Sequence, residues 1–247
     1  MSVAKKEEAR TESLNDLTYR KLKKDIMTFV LVPGDVISAQ KVASRYQVSR
    51  TPAREAIVKL EKEGLLKILP KSGTYVARIN LDRANQEWFV RMSLECSMAD
   101  RFVENCNEQV LNEMKENLEL LRRLTEYQIA RHEGRQKEEE PEMEHVSRID
   151  IDNSFHDMIY ECSKEALARE IIDTQMTHYN RIRFLAEMNS EQISHKTVAE
   201  HLALIEAAQK KDGKAFARIL KKHVRRIEID QQEIIDRFPD YFEEQTY

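Results

Sequence analysis

The sequence predicts a mainly α-helical chain of two dissimilar halves, with one small β-hairpin near the end of the first. Three observations carry this. Of 247 residues only 5 are glycine and 5 proline, while 34% are charged, the profile of helices with many exposed charged faces. Apolar residues recur at helical spacing along most of the chain, and strand-like runs are confined to residues 65–77. The charge is divided: residues 1–80 hold 16 Lys and Arg against 9 Asp and Glu, net +7, whereas residues 81–247 hold 24 against 35, net −11. A basic first half attracts nucleic acid. An acidic second half is repelled by it and needs another partner.

Residues 1–12 are expected to be disordered. A helix is predicted over 14–30, marked by Leu14, Leu17, Leu22, Ile26 and Phe29 and ended by Pro33-Gly34. Ser38 can cap a helix over 39–46, whose apolar side is Val42, Ala43 and Tyr46. Gln47-Val48 breaks it. Ser49 can cap the next helix, and Pro52 falls in its first turn, where a missing N–H is harmless. Ala56, Ile57 and Leu60 form its buried stripe, and Gly64 stands where a helix C′ glycine belongs. Leu65–Leu69 and Thr74–Ala77 read as strands joined by a Pro70–Gly73 turn. Helix, tight turn, helix and hairpin, in that order over residues 13–78, form a winged helix-turn-helix, whose second helix enters a DNA major groove. Arg50 and Arg54, four apart, share a face opposite the stripe, with Thr51 beside them. Arginine bonds guanine edges in pairs or grips phosphate. Lys71 and Gly73 occupy the hairpin tip, where a wing would approach the DNA backbone. Two arginines alone would be an ordinary solvated face; the complete ordered unit is what points to DNA.

A linker is expected over 79–84 and a helical body over 85–240. Helical periodicity runs over about 84–105, 108–131, 148–163, 165–189, 191–211 and 213–236. The stretch RHEGRQKEEEPEMEHV at 131–146 is charged, carries Pro141 and has no period, so it reads as a mobile loop. Cys96, Cys106 and Cys162 have no paired spacing, which favours buried free thiols over disulfides or a metal cluster. The opening MSVAKKEEARTES has no apolar core for a signal peptide, and no stretch approaches 18 apolar residues, so a cytoplasmic protein without membrane partners is expected.

The body carries possible metal ligands. Asp152 and His156, four apart, border the stripe Ile151, Phe155, Met158 and Ile159. His201 lies in the stripe Val198, His201, Leu202, Ile205 and Ala208; His223 lies in the stripe Phe216, Ile219, Leu220, His223 and Ile227. Three helices thus aim three histidines and one carboxylate at the bundle interior, where helical bundles build metal sites. A single histidine on an apolar face is ordinarily a hydrogen-bonded core residue; four groups together suit Zn²⁺, Ni²⁺ or a similar borderline cation.

Two resemblances sharpen both halves. The segment VSRTPAREAIVKLEKEGLLKILPKSGTYV resembles the DNA-binding signature of GntR-type bacterial transcription regulators, over about residues 14–80. It implies that Arg50, Thr51 and Arg54 contact an operator, that Gly73 sets the wing at the minor groove, and that Arg45 adds a phosphate contact. Lys71-Ser72 replaces the arginine many members carry before that glycine, and Ala39 replaces a frequent Glu. The body is similar to the FCD effector domain of the FadR branch, an all-α bundle of six to seven helices, over about 85–235. The family's D-x-x-x-H, E-H and final-helix histidine match Asp152, His156, Glu200-His201 and His223, whereas His132, His145, His178 and His195 match nothing, His178 and His195 being left as second-shell candidates. The likeness implies a divalent metal, Zn or Ni, with free positions for a small carboxylate effector and an arginine beside it. Arg91, in an Arg-x-x-x-Glu element, Arg181 and Arg183 are the candidates. The expectation is a homodimeric, ligand-responsive repressor of a catabolic operon on a palindromic double-stranded operator. A metal-dependent enzyme is disfavoured because no carboxylate stands at general-base spacing. A metal-free acyl-CoA sensor is disfavoured because all four ligand positions are filled.

Overall fold

The computed structural model describes residues 13–134, 146–189 and 191–244; the stretch 1–12 and most of the loop expected over 131–146 lie outside them. The chain divides into two compact units, one ending at Arg78 and the other beginning at Ile79.

The first unit contains α1 (Leu14–Met27), β1 (Val36–Ile37), α2 (Ala39–Tyr46), α3 (Arg50–Lys62), β2 (Leu66–Leu69) and β3 (Gly73–Val76). Ser13 and Ser38 accept the Asp16 and Lys41 backbone N–H groups and so satisfy donors left over at the starts of α1 and α2. Ser49 occupies the start of α3 without making such a bond. α1 ends three residues before the expected position, because Phe29 turns into the left-handed region at φ 56. Gln47, also at φ 56, makes the tight turn between α2 and α3, and Val48 N–H returns to Ala43 O at 3.0 Å. The sheet is antiparallel in the order β1-β3-β2, with Leu69 opposite Gly73 and Val36 opposite Tyr75. The two-residue β1 was not legible in the sequence, since two residues cannot show an alternation. Leu22, Ile26, Val42, Ala53, Ala56, Leu60, Leu65 and Val76 build one core beneath all of these elements. Each fully buried leucine or isoleucine there stabilises the unit by roughly 1.5–3 kcal/mol.

The second unit runs α4 (Leu81–Ser97), α5 (Ala99–Asn105), α6 (Glu108–His132), α7 (Arg148–Ser163), α8 (Ala166–Gln175), α9 (Thr177–Asn189), α10 (Glu191–Gln209), α11 (Gly213–Arg237) and a 3-10 turn, Pro239–Tyr241. Asn80, Asn107, Ser147 and Asp212 cap α4, α6, α7 and α11 through their side chains. The Asn80 cap starts α4 at Leu81, inside the stretch expected to be linker. The helices expected over 84–105 and 165–189 are each two, broken at Met98 and Met176. Neither break has a glycine or proline beside it, so no local signal announced it. Phe102, Phe155, Ile159, Leu204, Phe216 and Leu220 lie at the centre of the bundle, with the Phe102 and Phe216 rings 4.7 Å apart. The stripe expected on α10 needs one correction: Leu202 is 48% exposed and Leu204 is buried in its place, because the inward face follows His201, Leu204, Ile205 and Ala208. Cys106 is buried at the end of α5, while Cys96 and Cys162 are half-buried; all three are free thiols.

Candidate DNA-reading face and candidate metal centre

Arg50, Thr51 and Arg54 are exposed on the first turns of α3, opposite the buried Ala53, Ala56, Ile57 and Leu60. Arg50 Nε donates to Gln40 Oε1 on α2 at 2.8 Å, which ties the two helices of the motif together and leaves the outer guanidinium nitrogens clear of that bond. Arg45 is also exposed, but its Nε pairs with Asp25 Oδ2 on α1 at 2.7 Å, and Tyr46 Oη donates to the same carboxylate oxygen. Pro70, Lys71 and Ser72 form the wing tip. Lys71 sits at φ 66 and Gly73 at φ 129, and Tyr75 Oη donates to Ser72 O at 2.9 Å. At φ 129 Gly73 lies beyond the left-handed region that Lys71 occupies, and a side chain there would be strained by the backbone itself. The six residues expected to meet DNA therefore all lie on the surface of the first unit.

In the second unit Asp152, His156, His201 and His223 are buried, and one ligand atom from each lies within 4.8 Å of the other three. α7 supplies Asp152 and His156 one turn apart, α10 supplies His201 and α11 supplies His223. His156 Nε2 and His223 Nε2 face each other at 3.2 Å, and His201 Nε2 and His223 Nε2 stand 3.0 and 3.5 Å from Asp152 Oδ1. Yet neither ring nitrogen of His201 makes a well-aligned hydrogen bond with any described residue. Its ring stacks on Phe155 with centroids 3.9 Å apart. Ring nitrogens and a carboxylate oxygen that converge this closely are what a cation requires. Three imidazole nitrogens and one carboxylate oxygen are a fitting set for a borderline divalent ion.

Two further carboxylates orient the rings. Glu95 Oε2 lies 3.1 Å from His156 Nδ1, and Glu200 Oε2 lies 3.0 Å from His223 Nδ1. A carboxylate beside Nδ1 favours the proton there and leaves the Nε2 lone pair facing the group of ligands. Glu95 is fully buried and also receives Arg91 Nε at 2.7 Å and the Tyr160 hydroxyl. Arg183 pairs with Asp152 Oδ2 and donates to Asn153 and Asn180 at 2.9 and 3.0 Å. Arg181 is the largest fully buried side chain among the described residues.

These contacts fix the charges. Burial alone would raise the Asp152 pKa, but Arg183 and the neighbouring histidines outweigh it and hold the group well below the carboxylate range. For Glu95, likewise, burial is overcome by Arg91 and His156 and the pKa is lowered. Burial pushes His201 down to about 4, with Asp152 opposing only in part, and lowers His156 despite Glu95. Ionised Asp152 and neutral His201 are the forms in which these groups bind a metal.

Each expected residue can now be located. Asp152, His156, His201 and His223 come together; Arg183 touches the group through Asp152, and Arg91 reaches it through Glu95 and His156. Neither His178 nor His195 stands behind one of the four ligands. His178 Nδ1 accepts the Asn80 N–H at 3.0 Å, and His195 is exposed. His145 and the side chain of His132 lie outside the described residues. Glu95 is visible in the sequence only as the far end of the Arg91 element, and nothing there marks Tyr160. The one sequence signal was the four-residue step from Arg91 to Glu95, which showed a pair but not what the pair faces.

Comparison with known proteins agrees with both halves. Residues 14–76 match the model for bacterial regulatory proteins of the gntR family, and residues 88–226 match the FCD domain. The chain is 28% identical over 237 residues to the HTH-type transcriptional repressor RspR of Escherichia coli, covering 95% of this chain and 96% of that protein. It is 26% identical over 209 residues to the HTH-type transcriptional regulator YdhC of Bacillus subtilis, covering 83% and 84%. The fold is similar to that of E. coli McbR/YncC, with a TM-score of 0.71 at 23% identity over 90% of this chain and 99% of that one. It is also similar to a GntR transcriptional regulator from Rhodococcus sp. RHA1, with a TM-score of 0.67 at 16% identity over 91% and 99%. Among the described residues no helix is long and apolar enough to cross a membrane. A winged helix-turn-helix with an exposed arginine face, followed by a helical FCD domain, makes this chain a member of the GntR family of DNA-binding transcriptional regulators, in the branch that carries an FCD domain, and not an enzyme.

Proposed function

We propose that the protein is a cytoplasmic, homodimeric repressor of a catabolic operon, released or tightened by a small carboxylate that binds in a metal-containing pocket of the helical unit. The observation that carries the pocket is the convergence of Asp152, His156, His201 and His223, with Glu95 and Glu200 behind two of the rings. These four side chains would hold Zn²⁺ or Ni²⁺, and such an ion supplies Lewis-acid positions for a carboxylate. Arg183, already against Asp152, is the cation best placed to meet that carboxylate. Arg91 keeps Glu95 ionised and so orients His156, while Arg181 supplies positive charge from the interior of α9. In the first unit, Arg50, Thr51 and Arg54 read base edges in the major groove. Lys71 and Gly73 place the wing on the backbone, and Arg45 steadies α1 against a phosphate. Residues 13–78 form the reading head and 85–240 the effector and dimerisation domain. Two heads related by a two-fold axis require a palindromic operator. Repression finds support in the E. coli relative RspR, a transcriptional repressor.

The test begins with metal analysis of the purified protein and of His201→Ala. The wild type is expected to carry about one Zn²⁺ or Ni²⁺ per chain and the variant almost none, with a lower Tm for the variant because the ion binds only the folded state. A thermal-shift screen of small carboxylates on loaded and stripped protein then identifies the effector. A wild type unable to take up either metal would return the four groups to the role of core residues.

A further inference from the structure

Residues Ile79 and Asn80 open the second unit, directly after the last residue of the first. They do not lead into α4 as a free strand. Ile79 is fully buried; its N–H donates to Tyr241 O at 2.8 Å and its carbonyl accepts Glu243 N–H at 3.0 Å, a parallel bridge against Phe242. Asn80 uses every polar group it has on this side. Its N–H donates to His178 Nδ1 at 3.0 Å, its Oδ1 caps α4 at Arg83 N, and its Nδ2 donates to Glu243 Oε2 at 2.5 Å. Phe242 is only 4% exposed, although it lies beyond the end of the last helix. The Phe238 and Tyr241 rings stack at 5.3 Å and turn the chain back from α11 toward Ile79. Two residues of backbone are thus held on both edges by groups 98 to 164 positions further along the chain. Helix capping alone needs only the Asn80 side chain, so the bridge and the histidine serve something besides starting α4.

We propose that residues 238–243 form a clasp that pins the point where the chain enters the helical unit, so that each head of the dimer hangs from a fixed anchor. The inference rests on the two-headed operator reading above. A fixed anchor shortens the free tether and raises the effective concentration of the second head once the first has bound. Loosening it costs bivalent affinity and leaves single-head affinity alone.

The experiment compares wild type, Phe242→Ala and Glu243→Pro as full-length proteins. The second variant deletes the N–H donated to Ile79 O and the carboxylate that receives Asn80 Nδ2, both from one exposed residue, and Phe242, at φ −106 and ψ 152, already has the backbone that a following proline requires. Hydrogen exchange of residues 79–84 reports the clasp, fluorescence anisotropy on a selected palindrome and on one half-site reports binding, and sedimentation reports the dimer. Both variants are expected to exchange faster at Ile79 and Asn80, to bind the palindrome about tenfold more weakly, and to bind the half-site as wild type does. Faster exchange with an unchanged palindrome-to-half-site ratio overturns the clasp, as does an equal loss on both DNAs. Loss of the fold in both variants would make the segment a structural staple only and overturn its role in binding. A wild type that sediments as a monomer and gains nothing from the palindrome would sink the two-headed reading itself, and the clasp's role with it.

Discussion

The head and the bundle place their chemistry on opposite sides of their surfaces. In the head, the apolar stripe of α3 is buried and Arg50, Thr51 and Arg54 face water. In the bundle, the polar groups are in the interior: Asp152, His156, His201 and His223 are buried, as are Phe155, Ile159 and Leu220, and Asp152 and His156 stand against the buried Arg183 and Glu95. An exposed arginine is solvated until DNA arrives, so its loss changes binding and little else. A buried carboxylate or imidazole is desolvated from the moment the chain folds, so the groups of the candidate metal centre also carry folding energy. One region separates function from stability; the other cannot.

The sharpest way to break this contrast is Arg183→Ala. It leaves Asp152 buried without its guanidinium, and metal-free protein should lose about 3–5 kcal/mol in denaturant unfolding. Zn²⁺ should restore much of that, since an ion can replace the lost positive charge. A loss below about 0.5 kcal/mol, the range of ordinary surface substitutions, would mean that the interior groups are as independent of folding as those of the head.

Next in size is a pH effect. Burial, with Arg181 and Arg83 adding to it, pushes His178 down to about 4, and its Nδ1 must stay unprotonated to accept the Asn80 N–H. Its folded pKa lies below the unfolded value, near 6.5, so the unfolded chain binds more protons in between. The contribution is therefore complete above about pH 6.5 and is lost as pH falls toward 4, on the order of 3 kcal/mol in all. Thermal unfolding between pH 7 and 4 should show His178→Gln losing less stability than wild type, because an amide oxygen can accept the same N–H without titrating. Identical slopes would remove His178 from the account.

In the head, Arg54→Ala should weaken specific operator binding by about 1–3 kcal/mol while the unfolding midpoint stays in place. An equal loss of stability would blur the separation drawn above. The smallest expected effect belongs to the wing. Lys71→Ala should lower the slope of log affinity against log salt by about one and weaken all sequences alike. Selective weakening of one operator would make Lys71 a base reader instead.

The same contrast explains what could be read from sequence. The head is built from local signals: Ser38 at a cap, Gln47-Val48 at a turn, Gly64 after a helix and Gly73 at a hairpin, each diagnostic within a few residues. Its face of arginines followed from helical spacing alone. Spacing also placed Asp152 beside His156 and aimed His201 and His223 inward. Nothing local could say that Glu95 would stand behind His156, since 61 residues separate them, or that Tyr160 would share that carboxylate. The breaks at Met98 and Met176 arise from how helices meet, as does the exposure of Leu202. Such features depend on the packed bundle, and the pattern within any one helix does not contain them.

The wing tip has a consequence in time. Its three-residue turn is closed by Ser72 N–H on Leu69 O and buttressed by the Tyr75 hydroxyl, with Lys71 and Gly73 already holding positive φ. A loop in that state has met its ordering entropy during folding, before any duplex is near. Encounter with DNA then needs to quiet little more than the Lys71 side chain, so docking of the wing should proceed at the pace of charge-steered diffusion and not wait on a loop search.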